Sequence, residues 1–165
     1  MTPEQRAQEF LACRKTLVLG TVGAGGVPTV SYAPFVRKNT NFYVYTSALS
    51  RHTSDMQETQ KVSVLVIEDE ASAANIFARK RITFSCTVEV IPRGSAEWLH
   101  IMDLFGTTFG GIFDLIRPFG DFLLFCLKPY EAFYVEGFGQ AYRMNPDLST
   151  PVHVKGTGPG AKAHQ

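Results

Sequence analysis

A mainly β chain, closed on itself as an antiparallel barrel with peripheral helices, is the fold that the 165-residue sequence predicts. Three observations carry this. Most of the chain falls into short runs rich in Val, Ile, Thr, Phe and Tyr, bounded by Gly, Pro, Asn or polar clusters. Consecutive runs are often joined by turns too short for a crossover helix, which makes them antiparallel neighbours. Six to eight such strands in a chain with 45% apolar residues favour a barrel over an open sandwich. The thirteen phenylalanines exceed what a small barrel readily holds, so some are expected in a subunit interface or a ligand cleft.

The elements follow in order. Thr2-Pro3-Glu4-Gln5 reads as an N-cap with proline at the first helical position, opening a helix from Pro3 to Cys13. Thr16 to Val22 is a β-branched strand, and Gly23-Ala24-Gly25-Gly26 supplies the positive-φ options of a hairpin turn. Val27 to Val36 is the return strand, with Pro28 near its start, and Phe42 to Thr46 is the third. Ser50 to Met56 opens a second helix, capped by Ser47 or Ser50. Lys61 to Ile67 is an apolar central strand, Asp69 to Ala78 a short alanine-bearing helix, and Arg81 to Ile91 the fifth strand. Ser95 caps a helix to Phe105, followed by a glycine-broken helical piece from Gly106 to Pro118. Phe119 to Leu127, Ala132 to Glu136 and Gly139 to Met144 are the closing strands. Residues 1–144 therefore form one barrel domain, and the polar, Gly/Pro-rich residues 145–165 a flexible C-terminal tail.

Composition narrows the function. Sixteen basic and fifteen acidic residues give a net charge of +1, so there is no long-range pull toward nucleic acid or anionic lipid. The unpaired spacing of Cys13, Cys86 and Cys126 reads as small core residues in a reducing compartment. Residues 1–6 lack an apolar signal core, and no stretch approaches the length of a spanning helix. A soluble, cytoplasmic protein without membrane insertion is expected. His-x-x-x-His, Cys-x-x-Cys and Gly-x-Ser-x-Gly are all missing, and the glycines at 23–26 fall in a hairpin, where a dinucleotide fingerprint has no helix to use. Any catalysis is better explained by a bound organic or haem cofactor.

Two groups of residues carry candidate chemistry. Arg79-Lys80-Arg81 stands at the mouth of a strand, where three cations cannot all face an apolar core. It suits phosphate or carboxylate groups, or else is a solvated barrel edge. On the strand alternation, Arg79 and Arg81 share a face and Lys80 points elsewhere. Arg51-His52 begins a helix, either as an anion site built with free backbone N–H groups or as an ordinary surface helix. Of the other histidines, His100 reads as structural, His153 lies in a short extended segment, and the penultimate His164 is either disordered or folds back as a metal ligand.

Several blocks together resemble a known family. They are Arg14-Lys15-Thr16-Leu17, Pro28-Thr29-Val30-Ser31-Tyr32-Ala33-Pro34-Phe35, Ser50-Arg51-His52, Ile67-Glu68-Asp69-Glu70, Phe77-Ala78-Arg79-Lys80-Arg81-Ile82-Thr83-Phe84, Asp121-Phe122-Leu123-Leu124-Phe125 and Gly137-Phe138-Gly139-Gln140-Ala141-Tyr142. The chain resembles the pyridoxamine-phosphate-oxidase-like FMN-binding split barrels, and among them the haem-utilisation proteins of the HugZ/HutZ type. The resemblance implies a homodimer with ligand clefts at the subunit interface. Flavin-using relatives bind FMN there. The haem branch is associated with haem binding and oxidative opening of the porphyrin, for which an electron donor, unidentified here, is needed. It implies an iron-ligating histidine from the C-terminal arm, supported by an aspartate before a Phe-x-x-Phe strand. Asp121 matches that aspartate, and Arg79-Lys80-Arg81 the basic strip beside the haem. His164 is the nearest match to the ligand, a few residues late, with His153 next in line. The expected function is haem binding and oxidative degradation, with an FMN-dependent oxidoreductase and a non-catalytic haem carrier or storage protein as alternatives.

Overall fold

The computed structural model describes residues 1–156. Its strands are β1 (Thr16–Val22), β2 (Pro28–Lys38), β3 (Asn41–Ser47), β4 (Lys61–Ile67), β5 (Arg81–Ile91), β6 (Phe122–Gly137), β7 (Gln140–Met144) and β8 (Val152–His153). Its helices are α1 (Pro3–Ala12), α2 (Arg51–Thr59), α3 (Ala96–Phe109) and α4 (Gly111–Ile116). All strand pairs are antiparallel, in the order β3-β2-β1-β4-β5-β6-β7-β8. The additional β3–β6 pairing closes the first six strands into the expected barrel.

Alternation along each strand builds the interior. Leu17 and Leu19 of β1, Val62, Val64 and Val66 of β4, and Ile82, Phe84 and Cys86 of β5 all point inward. Phe42 lies at the centre, its ring 5.4 Å from Phe35 and 4.9 Å from Phe84, both edge-on. Such pairs contribute about 0.5–1.5 kcal/mol beyond area burial. Helices close the ends. At one end α1 inserts Ala7, Phe10 and Leu11, and Arg6 reaches Glu136 at 2.7 Å. The Thr2 hydroxyl accepts from the Gln5 N–H while the Gln5 side chain accepts from the Thr2 N–H, the reciprocal cap that the sequence announces. At the other end α2 inserts Met56, and its Thr59 hydroxyl donates to the Val22 carbonyl. A second core covers the outside of the barrel, where Trp98, Ile101, Met102, Phe105 and Phe113 of α3 and α4 pack on Tyr43, Tyr45, Leu124 and Cys126.

Three segments depart from the sequence reading. The strands expected at 119–127 and 132–136 are one strand, β6, because the interruption is a bulge: Cys86 faces Pro129 and Ser85 faces Glu131, so Tyr130 has no partner across the ladder. A proline without an N–H is tolerated at such a site. The helix expected at 69–78 is two single 3₁₀ turns, Glu70–Ser72 and Ile76–Ala78. The Asn75 side chain accepts from the Phe77 N–H, and three alanines do not offset the cost of nucleating a helix. Residues 145–156 are anchored rather than loose: Leu148 is buried in the barrel core, and β8 pairs with β7 at Tyr142 and Arg143.

Candidate functional site at the mouth of α2

β3 ends at Ser47, opposite Phe122, so the residue before β6 meets the loop that leads into α2. That residue is Asp121. Its backbone carbonyl accepts from the Ala48 N–H at 2.6 Å, and its carboxylate accepts from the Ser47 hydroxyl at 3.2 Å. The same Ser47 oxygen accepts from the Leu49 N–H, and the Ser47 carbonyl accepts from the buried Thr53 hydroxyl of α2 at 2.6 Å. The strand end, the loop and the helix are therefore tied together, and the Asp121 carboxylate is presented exposed.

Arg51 and His52 open α2. Ser50 is the N-cap residue, but its side chain makes no cap hydrogen bond, which leaves N–H groups at this end open. Arg51 is exposed. His52 is half-buried and turns toward β2, where Nδ1 shares a 2.6 Å hydrogen bond with the Ser31 hydroxyl. Its Nε2 is buried without a partner. Burial lowers the imidazole pKa, opposed by the nearby Asp55, so His52 is held neutral and is a poor anion donor. Asp55 itself is buried and accepts from the Thr21 hydroxyl at 2.8 Å. Gly23 permits this packing: a Cβ there would stand 2.8 Å from the Asp55 Oδ1.

Beside Asp121, Phe122 enters an apolar cleft of 250 Å³ walled by Tyr45, Phe105, Phe109, Phe113 and Ile116. Part of the phenylalanine surplus lies here. Arg93 frames the cleft, donating to the Phe119 and Phe122 carbonyls at 3.0 and 2.8 Å and to the Tyr45 hydroxyl at 3.2 Å, with its guanidinium 5.2 Å over Trp98. Sequence reasoning missed Arg93 and read Ser47 only as a candidate helix cap. Both lie at element ends, where pattern predicts a turn and says nothing about what the turn will touch.

The Arg79-Lys80-Arg81 strip is at the other end of the barrel. Arg81 pairs with Val135, so roughly 46 Å of strand contour, at about 3.3 Å per residue, separates it from Asp121 along β6. Arg79 precedes the strand, so the alternation argument does not reach it; its guanidinium donates to the Glu68 carbonyl and lies 3.5 Å from Glu70. Arg81 is half-buried and donates to the Arg79 carbonyl at 3.0 Å. The exposed Lys80 and Phe138 line a 170 Å³ cleft, and the exposed Phe77 lies three residues before Lys80. The fold thus brings Asp121, Arg51 and His52 to one end and leaves the cationic strip, with two exposed aromatics, at the other.

His164 lies outside the described residues. His153 is on β8, its Nε2 2.6 Å from the Gly139 carbonyl and its ring against Tyr142. Among the described residues no group of three or more His, Cys, Asp or Glu side chains is placed to hold a metal ion, and no helix is long and apolar enough to cross a membrane.

Comparison with known proteins places this architecture. The pyridoxamine 5'-phosphate oxidase family matches residues 3–136. A protein of Vibrio cholerae named haem oxygenase HutZ is 42% identical over 153 residues, covering 92% of this chain and 87% of the relative. A crystal structure of HutZ from Vibrio cholerae, described there as a haem storage protein, superposes with a TM-score of 0.80 at 39% identity over 83% of this chain and 97% of that one. The crystal structure of Campylobacter jejuni ChuZ superposes with a TM-score of 0.84 at 31% identity over 98% of this chain, which spans 65% of ChuZ. The closed barrel, the helices on its ends and these matches agree: the chain belongs to the pyridoxamine 5'-phosphate oxidase family of split barrels, in the haem-utilisation branch that includes HutZ and ChuZ.

Proposed function

We propose that the protein binds haem in a cleft between two subunits and degrades it oxidatively, taking electrons from a separate donor. The observation that carries this reading is Asp121, whose exposed carboxylate accepts from the Ser47 hydroxyl while its backbone carbonyl accepts from the Ala48 N–H, beside an aromatic cleft. A carboxylate so held suits an imidazole N–H, orienting the ring and raising the donor strength of its other nitrogen. The relative named haem oxygenase supports the choice of ligand. Haem, when bound, would supply the iron and the ring that reacts with oxygen. Everything else falls to this chain.

The two halves of the site lie at opposite ends of one barrel, so a two-fold dimer is the economical way to join them. In this reading one subunit offers Asp121, and its partner offers the cationic strip to carboxylate groups, with Arg81 and Lys80 as the contacts. Phe77 and Phe138 add exposed aromatic surface at the strip. His164 is the proposed iron ligand, with His153 next: its Nε2 is engaged by Gly139.

Two other readings have support. An FMN-dependent activity would use the open start of α2 and Arg51 for the phosphate. A carrier or storage role would need the ligand but no electron supply, as the description of HutZ as a storage protein suggests. Incubating the haem-loaded protein with a reductant and oxygen separates the degrading enzyme from the carrier. Loss of the haem spectrum with release of an open-chain product supports the degrading enzyme; intact haem after many equivalents of reductant supports the carrier.

A further inference from the structure

Three buried side-chain nitrogen or oxygen atoms among the described residues lack a hydrogen-bond partner, and two of them belong to residues that line the same cleft. They are the Nε atoms of Arg14 and Arg37. The cleft, of 240 Å³, lies where the end of α1, the end of β2 and the last turns of α3 meet, and neither lining acid nor any residue of the Arg79–Arg81 strip enters it. Arg37 makes no ion pair among the described residues, and burial without a counter-charge lowers its pKa. Arg14 has one contact with a carboxylate, a 3.9 Å approach to the exposed Asp69. Both guanidinium groups are set by aromatic rings: Arg14 lies 4.6 Å over Phe10 and Arg37 5.3 Å over Phe42. Stacking occupies the face of a guanidinium and leaves its N–H edge available.

A half-buried cation without a counter-charge is costly to keep, and Arg37 is kept beside a second half-buried guanidinium whose one carboxylate contact is long. We infer that this cleft binds a small organic anion, its carboxylate or phosphoryl group held between Arg14 and Arg37. Planar guanidinium edges match the paired oxygens of either group. Leu11, Phe35 and Leu104 add apolar lining to the cleft, and the Thr108 hydroxyl, which donates to the Leu104 carbonyl, adds a polar one. The site is separate from the proposed haem cleft and does not depend on it.

The test is titration of the full-length protein, at constant ionic strength, with benzoate in one arm and inorganic phosphate in the other. The readout is the Nε–H resonances of Arg14 and Arg37 by nitrogen-15 NMR. Saturable shifts of both resonances are expected with at least one anion, and the arm that saturates names the group. Arg37→Met should weaken that binding at least tenfold, while Arg81→Ala leaves it unchanged. If Arg37→Met does not fold, Arg14→Met serves in its place with the same expectation. Linear, non-saturating shifts with both anions would overturn the inference. So would saturation that survives the Arg37→Met and Arg14→Met changes, or that is lost with Arg81→Ala.

Discussion

The Ser47 hydroxyl donates to the Asp121 carboxylate at 3.2 Å, joining the end of β3 to the start of β6 beside the first turn of α2. This bond decides how the carboxylate is presented, and it makes Asp121 a positioned group on a solvated turn rather than part of the core. Asp121→Asn should leave the fold intact, with stability within about 0.5 kcal/mol of the parent. It should lower haem turnover or shift the bound spectrum, by roughly 10–100-fold in rate if the carboxylate orients a ligating imidazole. Ser47→Ala should do the same more weakly. Unaltered turnover and spectrum in Asp121→Asn would reduce the residue to a turn former.

The three cations of the basic strip should respond unequally. Arg79 is committed to the Glu68 carbonyl and Glu70, so Arg79→Ala should loosen the 68–80 loop. Arg81→Ala should weaken ligand binding more than Lys80→Ala. A well-formed contact to a charged group contributes about 1.5–3 kcal/mol, or roughly ten- to a hundred-fold in Kd. Affinity measured for the three variants checks the ranking, and equal affinity of Arg81→Ala and the parent removes Arg81 from the site.

Assembly is testable on the outer face of β2. Val30 and Tyr32 are 77% and 68% exposed, and Val30 shares a surface cleft with the exposed Tyr130. Sedimentation at micromolar concentration should give a dimer, and Val30→Glu should shift it toward monomer with the barrel folded. A parent protein that sediments as a monomer contradicts the two-subunit site.

His52 gives a pH dependence with a definite sign. Its ordinary pKa is about 6.5, and burial lowers it in the folded protein, with Asp55 opposing. Between the lowered value and about 6.5 the unfolded chain binds more protons than the native one. Stability from this group is therefore complete above about pH 6.5, falls as the pH drops below it, and is gone once the folded pKa is passed. Thermal unfolding from about pH 7.5 down to about pH 5 should show a steeper fall for the parent than for His52→Gln. Parallel profiles would mean that His52 does not set the slope.

The barrel was legible in the sequence because the signals that specify it are local: alternation in β1, β4 and β5, the Thr2–Gln5 cap, and the glycine turn after β1. The continuity of β6 was not, because Pro129 reads as a break and becomes a bulge only when Cys86 lies opposite. Leu148 was lost among polar neighbours, since one apolar residue in a tail announces burial only when a core is there to receive it. The candidate site was legible as residue types and not as geometry. The sequence placed Asp121 before a strand and the cations at the mouth of another, but which ends of the barrel they occupy follows from the β3–β6 closure, a contact between residues about 80 positions apart. His52 read as a possible anion donor; its turn toward Ser31 depends on β2 lying beside α2.

Haem, held by a histidine, is the proposed ligand of this barrel. Titration of the full chain and of His164→Ala with haemin, and separately with FMN, followed by absorption spectroscopy, tests it most directly. A saturable, sharp Soret band is expected for the full chain, a changed band or weaker affinity for His164→Ala, and no stoichiometric uptake of FMN. A histidine-ligated spectrum that persists in His164→Ala would move the ligand to His153, and stoichiometric FMN binding with no Soret band in either protein would contradict the claim.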